Sequence, residues 1–197
     1  SHNVNKAAVR EVENDIDKSA KVFMLPITGF PIDSGKEQMP IYGHAIPTLY
    51  SKKIAWSWPS FTYQHKTWQD EVLGLEGRAQ LEYLVFSGFD YIWINKLAFH
   101  DRGESRIQSL LEAGGQRESK ASIEPFEVLD LRPLKKAILD QIGQKAFEAQ
   151  TTKILERPTL SYEKGFHGEE RDSEGQRFHW AMERSQLRVF NHRDVSQ

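Results

Sequence analysis

The stretch "FDYIWINKLAF", which begins at Phe89, is the feature that most limits how this chain can fold. Apolar residues occur on both faces of this segment up to Ile94, and Gly88 precedes it. A strand that is apolar on both faces is typical of the interior of a sheet covered on its two sides. The stretch therefore predicts a central strand.

Helical and extended patterns alternate on either side of this strand. "KVFMLP" and "FEVLDL" resemble strands, whereas "ESRIQSLLEAGG" and the segment after Pro133 have the spacing of helices. Such alternation predicts an α/β fold, here a small mixed sheet flanked by helices and followed by short antiparallel β strands. The expected core of the sheet consists of Val22–Leu25, Tyr91–Ile94 and Glu127–Leu131.

A helix is predicted between these strands, from Thr67 to about Ser87. Thr67 and Asp70 resemble a capping box, which would place the first turn there. Gly74 and Gly77 weaken the middle of the pattern, so either a kinked helix or two shorter helices would satisfy it.

Three segments differ in character along the chain. Residues 1–20 are polar with a weak helical pattern over residues 6–18, residues 21–155 carry the α/β pattern, and residues 156–197 have the short alternating runs of antiparallel β structure. The last segment is interpreted as the possible start of a truncated β-sandwich. Because the sequence lacks an initial Met, we interpret it as a piece of a longer protein.

Composition narrows the function classes. The 197 residues carry a net charge of −2, so no basic surplus supports nucleic-acid binding. No Cys is present, which removes disulfide and thiol chemistry. No apolar run approaches the roughly 20 residues that a membrane helix needs.

Candidate catalytic groups are few. His100 and Asp101 follow the predicted central strand, where α/β proteins place functional loops, and could form an acid/base pair. A solvated loop is the preferred interpretation, because no third residue orients the pair. The histidines lack metal-binding spacing, and we predict neither a metal nor a cofactor. A charged hairpin tip is likewise preferred over a cation site for the acidic residues Glu169, Glu170, Asp172 and Glu174.

The stretch "YSKKIAWSWPSFTYQHKTWQDEV", from Tyr50, combines aromatic with polar residues. On an extended segment two aromatic rings two positions apart share a face, and the proline that follows favours extended backbone. Such rings with neighbouring hydrogen-bonding groups could stack on a saccharide, and burial in the core is the alternative. Trp68 is interpreted as core. The candidate ligand-binding residues are Trp56, Trp58, Lys52, Lys53 and Ser57.

The order of several motifs resembles the extracytoplasmic region of bacterial membrane proteins of the sugar or phosphoglycerol transferase-like type. The motifs are "VFMLPITGFP", "LYSKKIAWSW", "TWQDEV", "GFDYIWINKLAF" and "FEVLDL", followed by "GFHGEERDSEGQRFHWAMERSQLRVFN". The matching residues are Val22, Phe23, Leu25, Pro26, Phe30, Pro31, Ser51, Trp56, Ser57, Trp68, Gly88, Phe89, Asp90, Ile92, Asp130 and Leu131, with Gly165, Phe166, Glu169 or Glu170, Trp180, Leu187 and Asn191 in the tail.

The resemblance implies an extracytoplasmic domain attached to a multi-helix membrane part that handles lipid-linked sugars or related donors. Three functions remain open. The first is an accessory, non-catalytic domain that positions a saccharide acceptor or lipid-linked donor. The second is a protein–protein interaction module, and the third is a small α/β hydrolase that uses His100 or His44.

Overall fold

A computed structural model describes residues 6, 9–10, 13–14, 20–28, 36–41, 43–51, 54–57, 63–155, 159–166, 170–171, 177–178 and 181–190. The chain divides into two compact units, Ser1–Ile154 and Leu155–Gln197. The helix expected over residues 6–18 and the acidic loop near residue 172 lie largely outside the described residues.

A five-stranded mixed sheet forms the centre of the first unit, with strand order β2-β1-β3-β5-β4. The neighbouring strands β2, β1 and β3 run parallel, and β5 is antiparallel to both β3 and β4. The α/β fold predicted from the alternating pattern is thus confirmed. The strands are β1 (Lys21–Leu25), β2 (Ala55–Trp56), β3 (Tyr91–Asn95), β4 (Ala121–Ile123) and β5 (Phe126–Asp130).

Helices occupy most of the connections between the strands. The described helices are α1 (Ala45–Tyr50), α2 (Tyr63–Leu73), α3 (Gly77–Phe86), α4 (Glu104–Gly114), α5 (Arg132–Ile142) and α6 (Gln144–Leu155), with a short 3-10 turn at Lys96–Ala98.

Because successive side chains of a strand point to opposite faces, the sheet separates two apolar layers. We define the first face by Phe23, Leu25, Ile92, Ile94 and Leu129. Helices α2 to α6 all contribute residues to its layer. The second face is defined by Val22, Met24, Tyr91, Trp93, Phe126 and Val128, and α1 and β2 contribute to its layer.

Strand β3 lies in the middle of the sheet between β1 and β5. All five of its residues are buried, and its side chains reach both layers, with Ile92 on the first face and Trp93 on the second. The central strand predicted from "FDYIWIN" is confirmed.

The helix predicted to begin at Thr67 begins instead at Tyr63. Thr67 therefore lies within α2, and the capping-box interpretation is wrong. The pattern breaks after Leu73, and a second helix begins at Gly77, where φ is +52°. Of the two alternatives, two shorter helices are correct, because the left-handed backbone at Gly77 interrupts the helical path.

The second unit is built of antiparallel strands. β6 (Thr159–Phe166) pairs with β9 (Ala181–Phe190), with register shifts between Tyr162 and Phe166, and β7 (Glu170–Arg171) pairs with β8 (Arg177–Phe178). The antiparallel strands expected in this segment are present. That they form the start of a β-sandwich stays a prediction.

Candidate functional site

Trp56 is the one predicted ligand-binding aromatic residue that falls on a described strand. It lies on β2, one of the two edge strands of the sheet, and pairs with Val22 of β1. The extended backbone expected around Trp56 is therefore present. Its half-buried ring meets Trp93 edge to face, with the ring centroids 5.5 Å apart. The indole N–H groups of both rings are shielded from water and have no hydrogen-bond partner.

Ser57 follows Trp56 and extends the pairing of β2 with β1. Its backbone N–H donates to the carbonyl oxygen of Val22 at 3.0 Å. Its hydroxyl oxygen accepts a hydrogen bond from the backbone N–H of Met24 at 2.9 Å. The hydroxyl thus replaces a backbone carbonyl as the partner of β1, a structural role that sequence reasoning did not assign to it.

The other predicted ligand-binding residues, Lys52, Lys53 and Trp58, lie outside the described residues. Trp68 packs on the first face, where its ring lies 5.8 Å from Phe23 and 5.5 Å from Phe89. Its Nε1–H donates to the hydroxyl of Ser87 at 3.2 Å. The interpretation of Trp68 as a core residue is confirmed.

His100 and Asp101 are both exposed, in the turn before α4. The carboxylate of Asp101 accepts hydrogen bonds from the backbone N–H groups of Gly103, at 2.9 Å, and Ser105, at 3.0 Å. Hydrogen bonding by Ser105 is the main cause that lowers the pKa of Asp101. The described hydrogen bonds include none between His100 and Asp101. Asp101 instead accepts hydrogen bonds from backbone N–H groups at the start of α4 and so stabilises that end of the helix.

His44, the other histidine considered for hydrolysis, precedes α1 and is 1% exposed. Its Nε2 lies 2.6 Å from the carbonyl oxygen of Pro26, the residue after β1. A carbonyl only accepts hydrogen bonds, so Nε2 carries a proton. Burial lowers the pKa of the imidazole to about 4. The neutral ring therefore leaves Nδ1 with an unshared electron pair, and this atom is buried without a partner.

Thr28 follows Pro26 by two residues, which places its Cα within about 7 Å of that of Pro26. Its side-chain hydroxyl is also buried without a hydrogen-bond partner, and the residue is 4% exposed. Sequence reasoning did not identify Thr28. Its position just beyond the carboxyl end of a predicted buried strand was the available signal, since α/β sheets bind ligands at that edge.

The charged groups that follow β3 neutralise one another. Lys96 forms ion pairs with Glu124 and, at 3.6 Å, with Glu127, and Arg102 also pairs with Glu124. A hydrogen bond from Lys96 is the main cause that lowers the pKa of Glu124. The hydroxyl of Ser122 donates to Glu127 at 2.7 Å. The cluster is internally satisfied and ties the loop after β3 to the β4–β5 hairpin.

Comparisons with known proteins give no match: no family model fits the chain, and searches of curated proteins and of solved structures return no significant relative. Among the described residues no group of three or more His, Asp or Glu side chains is placed to hold a metal ion. None of the described helices combines the length and apolar character needed to cross a bilayer.

Proposed function

We propose that this chain is a non-catalytic, saccharide-binding domain of a larger membrane protein. In this role it positions a saccharide acceptor or a lipid-linked donor on the outer face of the cytoplasmic membrane, for the synthesis of a surface polysaccharide. Trp56 supports the saccharide part of the proposal. The membrane-bound parent and the extracytoplasmic location rest on the resemblance of the sequence motifs.

The geometry of Trp56 is the observation that carries the proposal. The ring is half-buried on the outer strand, and its edge-to-face contact with Trp93 fixes its orientation. A fixed, partly exposed aromatic ring can stack on the apolar C–H face of a sugar without a large loss of side-chain entropy. Asp101 supports a binding role over hydrolysis, because its carboxylate is already engaged by the backbone of α4.

An NMR titration tests the proposal. The ¹H–¹⁵N resonance of the Trp56 indole should shift as neutral oligosaccharides are added to the whole chain, and Trp56→Ala should weaken their binding several-fold. Trp56→Phe keeps an aromatic ring against Trp93 and should retain most of the affinity. Trp68→Phe is the matched control, because it alters a ring on the first face. Unchanged affinity in a folded Trp56→Ala protein would contradict the proposal.

A protein–protein interaction module is the second candidate. Leu49 on α1 favours it, because this large apolar side chain is 75% exposed. A single exposed leucine is common on protein surfaces, which makes this the weaker candidate. Leu49→Asp separates the two functions: it should leave the oligosaccharide titration unchanged and abolish any self-association measured by sedimentation.

A further inference from the structure

β1 and β3 are parallel neighbours, and the chain leaves their carboxyl ends in two directions; we call the position between these two ends the crevice. After β1 the connection to β2 runs over the second face, where α1 packs. After β3 the chain turns to the first face, where α4 packs. Adjacent strands whose connections leave toward opposite faces define a topological switch point, the usual ligand-binding position in open α/β sheets.

Two buried polar atoms at the β1 side of this crevice have no partner. These are the hydroxyl oxygen of Thr28 and the Nδ1 atom of His44, and both residues are more than nine-tenths buried. The hydrogen bond between His44 and Pro26 anchors the ring next to the loop that carries Thr28. An unpaired buried polar group is unfavourable, so a bound group that forms hydrogen bonds with both atoms would be stabilised here.

We propose that the crevice between the carboxyl ends of β1 and β3 binds a neutral, hydroxyl-bearing group, with a ligand hydroxyl donating to Nδ1 of His44 and the hydroxyl of Thr28 completing the contact. Both protein atoms are uncharged. Nδ1 accepts a hydrogen bond and the Thr28 hydroxyl can donate or accept one, which suits the hydroxyl groups of a polyol. The choice of a saccharide among hydroxyl-bearing ligands rests on the proposed function, whereas the crevice itself does not depend on Trp56.

A phosphate or another anion fits this crevice poorly. The imidazole of His44 is neutral above pH of about 4 because burial disfavours its charged form. The cationic groups of Lys96 and Arg102, which follow β3, are paired with Glu124 and Glu127. An anion would therefore place its charge beside an electron pair of Nδ1. Lys96 and Arg102 would not compensate that charge, because both are already paired with glutamates.

Residues 36–41, which precede α1, are attached to the chain that follows β3. The backbone N–H of Gln38 donates to the carbonyl oxygen of Leu97 at 2.9 Å, which ties residues 36–41 to the loop after β3. Met39 in the same segment is buried. The segment before His44 is thus joined to the chain that follows β3, and the exchange rate of the Gln38 amide reports how often this contact opens.

The test follows His44 directly by NMR. The ¹⁵N resonance of Nδ1 in the whole chain is recorded while glucose, and separately glycerol as the smallest polyol, is added in the millimolar range. Accepting a hydrogen bond moves the resonance of a lone-pair-bearing Nδ1 upfield, and we expect this shift with both probes. Inorganic phosphate, added at the same concentrations, should give no shift.

Variants locate the contact. Thr28→Val keeps the shape of the side chain and removes the hydroxyl, whereas Thr28→Ser retains it as a matched control. His44→Gln can still donate to Pro26 from the position of Nε2 and lacks Nδ1. Thr28→Val and His44→Gln should each weaken glucose binding about three- to tenfold, the effect of losing one neutral hydrogen bond. Thr28→Ser should bind like the unaltered chain.

The outcomes separate this inference from the proposed function. A titration that shifts the Trp56 indole and leaves Nδ1 of His44 unchanged overturns the crevice and keeps the saccharide function. Shifts at His44 alone support ligand binding in the crevice and contradict saccharide binding by Trp56. No shift at either position overturns both. An Nδ1 resonance that shows a hydrogen bond before any probe is added, and does not respond to glucose, means that an internal water fills the position, and it overturns the inference.

Discussion

The Nε2–H group of His44 donates a hydrogen bond to the carbonyl oxygen of Pro26 at 2.6 Å, in a position almost completely closed to water. This bond joins the residue before α1 to the carboxyl end of β1. It also fixes the tautomer of the ring, because the carbonyl requires a proton on Nε2. Protonation of Nδ1 would bury a charge without a partner.

Acidification should therefore destabilise the fold through His44. The unfolded chain binds a proton at this residue near pH 6.5 and the folded chain only near pH 4, so stability rises with pH across this window and is lost as the pH falls through it. The total decrease in the free energy of unfolding approaches about 3 kcal/mol, since one pKa unit corresponds to about 1.4 kcal/mol. Urea unfolding at several pH values measures it.

His44→Gln is the control for this pH dependence. Glutamine keeps a donor for Pro26 and does not titrate, so the variant should lose most of the slope between about pH 6.5 and about pH 4. If the variant and the unaltered chain show the same slope in this window, other groups cause the pH dependence and the assignment to His44 is wrong.

Truncation of Trp93 should be far more costly than truncation of Trp56. Trp93 is fully buried on β3 and touches both Trp56 and Phe126. We expect Trp93→Ala to lower the free energy of unfolding by about 3–5 kcal/mol. Trp56 is half-buried, so Trp56→Ala should cost clearly less. Chemical denaturation of both variants measures the difference, and equal losses would mean that Trp56 is also a core residue.

Loss of the Ser57 hydroxyl should weaken the attachment of β2. Ser57→Ala leaves the backbone N–H of Met24 without its acceptor, and an unpaired buried donor costs about 1–3 kcal/mol. Ser57→Thr retains a hydroxyl and is the matched control. Hydrogen exchange at the Met24 amide should accelerate in the alanine variant alone. Equal protection in both variants would show that another group, or water, replaces the hydroxyl.

His100 and Asp101 should tolerate substitution with the fold intact. Asp101→Ala removes the acceptor of the Gly103 and Ser105 N–H groups and should lower the melting temperature slightly. His100→Ala should leave it unchanged, because its ring is exposed. Circular dichroism melts of the two single variants measure this contrast. A larger loss for His100→Ala would contradict the structural role assigned to Asp101.

The apolar pattern was sufficient to predict the three longest strands of the sheet, because β1 and β3 are mostly apolar runs and β5 places Phe126, Val128 and Leu129 in the core. It misplaced the start of α2, since the local Thr67–Asp70 pattern imitates a helix start that the fold does not use. The crevice could not be derived in the same way. The burial of His44 and its bond to Pro26 connect residues 18 positions apart, and no local pattern encodes such a contact.

The structural surroundings of the predicted ligand-binding residues Trp56 and Ser57 could be predicted only in part from the sequence. Two-residue spacing and the following proline indicated extended backbone at Trp56, and the strand pairing agrees with this. The role of Ser57 depends on register: its hydroxyl reaches the Met24 N–H only because Trp56 lies opposite Val22. Register between strands is set by tertiary packing, so the sequence offered no means to separate a ligand contact from this structural one.

The short length of β2 has a consequence for colloidal behaviour. The two outer strands of the sheet, β2 and β4, contain two and three residues, whereas β1, β3 and β5 contain five each. A long unpaired edge is a template on which another chain can add a strand and start aggregation. Here the outer strand ends after Trp56, and the hydroxyl of Ser57 occupies the next amide of β1. Within the described residues 54–57, the sheet consequently offers little backbone to a second molecule at this edge.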